Sequence, residues 1–364
     1  MPVLAAIGAL VLILGILWDG FETVVLPRRV MRPVGLTRFF QRVSWTPWSA
    51  PVKQRLSSPR REDWLSLYAP LSQLFLLVIW AGGLIIGFAV LQWALGSQYD
   101  TPDHQPGFGT DLYVSGTTFF TLGLGDVSPR SPLARLVTVI ESGTGFGLLA
   151  LVITYLPVVY QAFSRREARI SMLDEWAGSP PTAVDFLSRQ AQRGGLPEIR
   201  GFFLEWERWA SELMETHLTY PVLAYYRSQH ENQSWLGGLT MILDVSALVM
   251  AGIEGVPPLP AQLAFAIARH SAVDLSQVLG VPPRSDMTDR LPASDVANLW
   301  RMLAEGGVPV QHQPGTDAKL SELRQQYEPY VQALSEYLLM PLPPWVPLQR
   351  RRDNWQTTMW QTGD

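Results

Sequence analysis

The stretch TTFFTLGLGDVSP, Thr117 to Pro129, holds the residues of this chain whose types and spacing could do chemistry. Gly123 and Gly125 alternate with Leu122 and Leu124. Glycine frees the backbone to take dihedrals that a chiral residue resists. A segment alternating glycine with other residues can turn successive carbonyls toward one axis. Four such loops around that axis would replace the water shell of a cation with oxygens. This is coordination by backbone, with no bond made or broken, so no enzyme activity is expected. The chain has 364 residues and no cysteine, which excludes disulfides and thiolate metal sites. His217, His230, His270 and His312 show no metal-ligand spacing.

A loop of this composition needs elements to hold it. It lies between two long apolar stretches, Leu71 to Leu95 and Leu133 to about Phe163. A third, Val3 to Leu26, precedes them. Each is long enough to cross a bilayer as a helix, which takes about 20 apolar residues. The first lacks a basic leader region, and its small residues precede the apolar core, so it reads as a retained helix. Gly96 to Thr110 is dense in Gly and Pro and reads as an outer turret. Thr110 or Asp111 then caps a short helix, DLYVSGTTFFT, which is too short to cross. The chain must enter, turn and return through LGLGDVSP. Non-helical backbone at that depth survives only where it is buried in protein or lines a water-filled path.

Lys and Arg set the orientation. Arg28, Arg29, Arg32, Arg38, Arg42, Lys53, Arg55, Arg60 and Arg61 follow the first span, and Arg165, Arg166 and Arg169 follow the third. Residues 62–129 hold no Lys or Arg. Both basic clusters are therefore expected in the cytoplasm, with the N-terminus and the loop outside. The membrane is expected to be the plasma membrane, the inner one in a bacterium. The connector LTRFFQRVSWTPWSAPVKQRL mixes arginines with Phe39, Phe40, Trp45 and Trp48, side chains that settle among lipid headgroups. Asp19 and Glu22 read as interface anchors, with Arg28 or Arg29 as partners.

From Ser171 onward, apolar residues recur at helical spacing, broken at GSPP, GVPPLP, GVPPRSD and MPLPPWVP. The expected fold is an all-α membrane protein: three transmembrane helices with a re-entrant pore helix and filter loop, plus an all-helical cytoplasmic domain. Residues 236–254 resemble a fourth span, but Asp244, Glu254 and the short run favour a buried core helix. The expected domains are 1–27, an N-terminal span; 28–62, a basic interfacial connector; 63–165, the pore domain; and 166–364, the helical cytoplasmic domain. The last shows no dinucleotide, Walker or EF-hand motif. Its ligand or partner is not legible, and nothing points to nucleic acid.

TLGLGD, set after TT and between two spans, resembles the filter of the single-pore-loop potassium channel superfamily, whose pores have two helices. The order of outer helix, turret, short pore helix, filter, Asp, Pro and inner helix is similar too. The resemblance covers about residues 62–165 and is to prokaryotic channels, with an extra N-terminal helix. It implies a homotetramer with potassium ions as permeant ligand, bound at the filter only, and no cofactor. By position it makes Thr121, Leu122, Gly123, Leu124 and Gly125 the ion-coordinating filter. Asp126 would sit behind the outer mouth, with Tyr113 placed to brace it. Thr117 stands where some members carry a Glu that pairs with that Asp. The family usually has Val and Tyr where this chain has Leu122 and Leu124, so a phenol behind the filter is missing.

Other residues carry weaker signals. Glu141 is the one carboxylate inside the third span; it reads as standing behind the pore helix, with lining a cavity or capping local hydroxyls as alternatives. Gly145 matches the family's gating hinge, and Pro157 would kink the same helix; helix packing accounts equally for Gly143 and Gly147. Asp100, Asp103, Asp111 and Asp126 would form a negative vestibule or a solvated turret. Arg350, Arg351 and Arg352, flanked by Trp345, Trp355 and Trp360, could meet anionic lipid or stay solvated.

Overall fold

The computed structural model describes residues 1–26, 35–54, 58–101, 107–230, 232–286 and 288–346. The described residues divide into two compact units, one ending at Tyr160 and the other beginning at Gln161. The sequence reading put that division at 165, where the arginines begin. Arg28, Arg29, Arg32, Arg55, Asp103, Arg350, Arg351, Arg352, Trp355 and Trp360 lie outside the described residues.

The first unit is built on three apolar helices. α1 is Pro2–Val24, α3 is Ser58–Ala94 and α5 is Pro132–Ala177. α1 buries Ala9, Ile13, Ile16, Gly20 and Thr23, residues three and four apart that share one face. That face packs on α3. Ile13 stands where a Cβ on Gly87 would be, 2.8 Å away, and Ile16 fills the place beside Gly83. Two glycines one turn apart let the helices close to contact, the small-residue packing of membrane helices. Val3, Leu4, Val11 and Leu14 on the other face are exposed.

The connector between α1 and α3 is a helix, α2, Leu36–Gln54. Thr37, Gln41, Trp45, Ser49 and Val52 form its buried face. Phe39, Arg42 and Val43 stay exposed. Asp19 of α1 fixes this arrangement. Its carboxylate accepts hydrogen bonds from the Thr37 amide (3.2 Å), the Thr37 hydroxyl (2.7 Å) and the Trp80 indole (2.9 Å). An acid at the N-terminus of α2 also meets the positive end of its dipole. Asp19 is thus a buried three-helix joint rather than the interface anchor expected. At the far end of α2, Trp48 stacks on Trp64 at 4.4 Å, and each indole donates to the other's carbonyl. α3 starts at Ser58, so the expected boundary at 62 falls inside it.

The second unit continues from the end of α5. Its helices are α6 (Ala183–Gln192), α7 (Ile199–Thr219), α8 (Trp235–Gly252), α9 (Pro258–Leu279), α10 (Ala293–Glu305), α11 (Thr316–Gln325) and α12 (Glu328–Leu338). α8 is the centre, capped by Ser234 and buried from Trp235 to Val249. It is apolar enough to cross a membrane, yet 89% of its apolar stretch is buried inside the unit, against 17% for α5. That contrast marks α8 as a core helix.

A buried polar knot crosses this core. Arg290 pairs with Asp244 of α8 (2.7 Å) and donates to the Pro343 carbonyl (2.7 Å). Tyr327 donates to Asp244 (2.6 Å), and Arg324 pairs with Glu328 (3.0 Å). Trp345 donates to Glu328 (3.0 Å), with the Arg290 and Arg324 guanidiniums 5.5 and 5.4 Å from its ring. Trp345 is thereby a core residue and no part of a lipid-facing tail.

Removing one partner of a buried ion pair leaves an uncompensated charge, which costs about 3–5 kcal/mol. Asp244→Ala should therefore lower the thermal transition of the full chain sharply. Glu305→Ala, which breaks only an exposed pair with Arg301, should change stability by less than about 0.5 kcal/mol. Equal shifts for the two variants in a thermal scan would show that the knot does not stabilise the fold.

Candidate functional site

The loop singled out by composition sits on a short helix that starts earlier than expected. α4 spans Phe108–Phe119, and its N-cap is Gly107 rather than Thr110 or Asp111. Thr110 sits in the first turn, where its hydroxyl accepts from the Gly107 amide at 3.4 Å. Asp111 also lies in that turn, where an acid is favoured by the helix dipole. Past Phe119 the helix unwinds through amide bonds from Thr121 to Thr118 (3.0 Å) and from Leu122 to Thr117 (2.8 Å).

The backbone then alternates. Thr121, Gly123 and Gly125 have φ of 55, 58 and 76°, whereas Leu122 and Leu124 stay on the negative side. Alternating left- and right-handed dihedrals segregate amides to one side of a strand and carbonyls to the other. Glycine takes the left-handed region without strain, but Thr121 does not. A non-glycine residue held there marks a site where geometry is imposed. The loop from Phe120 to Asp126 is exposed in the single chain, with Leu122 60% and Leu124 64% accessible.

Three sets of contacts position the loop. At its neck, strand β1 (Tyr99–Asp100) pairs antiparallel with β2 (Ser128–Pro129). Arg130 adds an amide bond to the Gln98 carbonyl (2.8 Å) and an ion pair to Asp100 (2.9 Å). Asp100 therefore does not stand in an unrelieved negative vestibule. Beside the loop, the Tyr113 hydroxyl donates to Asp126 at 2.7 Å, which ties the end of the loop back to α4. Thr117 bonds the Tyr113 and Val114 carbonyls of its own helix (2.9 and 3.1 Å).

Behind α4, Glu141 of α5 is fully buried and accepts from the Ser115 hydroxyl. The same hydroxyl lies 2.7 Å from the Ile85 carbonyl of α3. One α4 serine thus lies between both long helices, and Glu141 faces α4. A second polar bridge, Gln92 to the Ala134 carbonyl (3.3 Å), links α3 to α5. Ser115 carries no motif; its spacing of four from Asp111 and from Phe119, both buried, places it on the inward face of α4.

Gly145 is where α5 crosses the end of α4. A Cβ there would collide with the Phe119 carbonyl oxygen and lie 2.9 Å from its carbon, both backbone atoms that cannot rotate away. Gly143 and Gly147 have nothing within 4 Å. The glycine at 145 is thus required by close approach. Pro157 lies inside an α5 that continues to Ala177. Among the described residues no group of His, Asp and Glu could hold a metal ion.

A short helix, a loop in which positive φ alternates along the chain and two long flanking apolar helices are the features of a membrane protein. Residues 74–162 match the family described as "Ion channel". Over 94 residues the chain is 31% identical to Protein LctB of Geobacillus stearothermophilus, a stretch covering 69% of that protein and 23% of this chain. Over 203 residues it is 27% identical to the uncharacterized membrane protein YdjJ of Bacillus subtilis; this covers 52% of the chain and 55% of that relative's length. No solved structure matches. The chain belongs to the ion-channel family.

Overpacking by one methyl against fixed backbone costs about 1–3 kcal/mol. Gly145→Ala should lower thermal stability by an amount in that range, whereas Gly143→Ala and Gly147→Ala should leave it unchanged or raise it slightly through helix propensity. Thermal unfolding of the three variants in one detergent checks this. Indistinguishable transitions would remove the close approach as the reason for the glycine.

Proposed function

We propose that the protein is a homotetrameric cation channel that conducts potassium through the Thr121–Gly125 loop. The observation that carries this reading is the alternation of positive φ at Thr121, Gly123 and Gly125 in a loop left exposed by a single chain. Carbonyls brought to one side by such alternation would form a partial coordination shell. One loop cannot enclose an ion, so the shell closes only when identical loops surround a rotation axis. Asp126 and Tyr113 brace the shell from outside, and Glu141 with Ser115 holds the pore helix from behind. Gating is assigned to bending of α5 around Gly145 and Pro157. The amphipathic α2 lies among lipid headgroups at the cytoplasmic face, with the N-terminus outside and the second unit in the cytoplasm. Potassium is the permeant ligand, and no cofactor takes part.

Leu124 favours a second reading, a weakly selective cation channel. A leucine cannot donate the hydrogen bond that a phenol supplies behind the filter, and a looser shell discriminates less between ions.

Purified protein in liposomes tests both readings. Potassium flux that exceeds sodium flux, together with crosslinking that proceeds to tetramers, is the expected result. Crosslinking that stops at dimers, or absence of flux from tetramers, would overturn the channel reading. Leu124→Tyr should shift the reversal potential under mixed gradients toward potassium. A parent already strongly selective would show that Leu124 leaves the shell firm. Glu141→Gln keeps shape and removes charge, and should still form tetramers while changing open probability or ion preference; identical flux and stability would leave Glu141 without a role in the filter.

A further inference from the structure

The cytoplasmic-type arginines after the third apolar stretch were read as a topology signal, yet Arg166 is buried, with 4% of its surface accessible. It lies on the last part of α5, inside the second unit. Nη1 donates to the Leu223 carbonyl (2.8 Å) and Nη2 to the Tyr226 carbonyl (3.0 Å). Nε donates to Glu167 (3.0 Å), and the guanidinium lies 5.3 Å from the Phe163 ring centroid. Phe163 in turn packs on Tyr226 at 5.1 Å. By contrast, Arg165 and Arg169 make exposed pairs with Glu212 and Glu205.

The remaining contact is with His217 of α7, which is 1% accessible. Its Nδ1 is 2.8 Å from the Leu213 carbonyl, which can only accept, so Nδ1 carries the proton. Nε2 then keeps a lone pair and accepts from Arg166 Nη1 at 3.1 Å. Protonating Nε2 would set two donors and two positive charges against each other in a buried site. The groups that face His217 are few. Arg166, with Glu167 beside it, comes from α5; Thr216 is its neighbour on α7 at 3.2 Å, with the Leu213 carbonyl of the same helix at 2.8 Å; the Trp235 ring of α8 lies 5.3 Å away. Glu167 is engaged by the guanidinium, and among the described residues no carboxylate bonds the imidazole.

We propose that Arg166 is a positioning residue that clasps the end of α5 to the segment after α7, and that protonation of His217 releases the clasp. Burial and the Arg166 charge both hold the imidazole well below its usual range. A histidine whose folded pKa is depressed binds more protons when the clasp is open. The clasp is therefore intact above about pH 6.5 and weakens as pH falls toward the folded value. The same α5 carries Glu141 and Gly145, so release would reach the pore; that consequence alone rests on the channel reading.

Hydrogen exchange on the full chain in nanodiscs, corrected for the intrinsic pH dependence of exchange, reads the clasp directly. Between pH 7.5 and 4.5, residues 161–177 and 213–226 should lose about tenfold or more in protection. Rest of the second unit should lose less. In His217→Gln, which is neutral throughout, the acid step should vanish. Arg166→Lys keeps the charge but loses the planar fork, and should exchange faster at both pH values. No step in the parent, or an undiminished step in His217→Gln, would overturn the proposal. The parent profile and Arg166→Lys keep it falsifiable if the histidine variant does not fold. Liposome flux measured over the same pH range separates the two readings: an exchange step without any flux would preserve the clasp and reject conduction.

Discussion

A bilayer offers no hydrogen bonds, so every backbone amide and carbonyl at membrane depth must be bonded or face water. The first unit of this protein is arranged around a place where its chain leaves the helix between two long apolar helices. From Phe120 to Asp126 the carbonyls leave the helical ladder, and everything nearby acts to hold that departure in one shape. The β1–β2 pair closes the neck. Tyr113 ties Asp126 to the pore helix. Ser115 fastens that helix to α3 and to Glu141 of α5. Gly145 lets α5 come close enough to support the helix end.

Polar joints recur wherever apolar packing alone would leave register undetermined. Asp19 binds three helices through Thr37 and Trp80. Along α1 and α3 the small residues Gly83 and Gly87 allow close contact, but a greasy interface slides, and a buried carboxylate with three donors does not. In the second unit the Asp244–Arg290–Glu328 knot and the Arg166–His217 clasp serve the same purpose. Each is weak evidence for net stability, because desolvating charges is expensive. Each does specify a single arrangement of helices that are otherwise uniformly apolar.

The amino-acid sequence alone determined the apolar helices, the charge asymmetry and the glycine-alternating loop. These are local properties: run length, a stretch of 68 residues without Lys or Arg by the count from 62 to 129, and glycine at alternate positions. The left-handed dihedrals at Gly123 and Gly125 follow from residue type, so they too were legible. The helical period of the second unit was readable for the same reason. α8 was recognisable as a core helix because a charge interrupts a short run.

Tertiary structure decided the rest, since the partners lie far apart in the chain. Trp80 is 61 residues from Asp19, His217 is 51 from Arg166, and Tyr327 is 83 from Asp244. Composition put Arg166 in a cytoplasmic basic cluster and set Trp345 beside arginines that could meet lipid or stay solvated; folding buried both, because the Arg166 guanidinium reaches the Leu223 and Tyr226 carbonyls and the Trp345 indole donates to Glu328. Gly145 looked like a hinge, one glycine among three. Only the crossing of α5 over the Phe119 backbone separates it from its neighbours, and a crossing point depends on where two helices meet, which no residue of either encodes by itself.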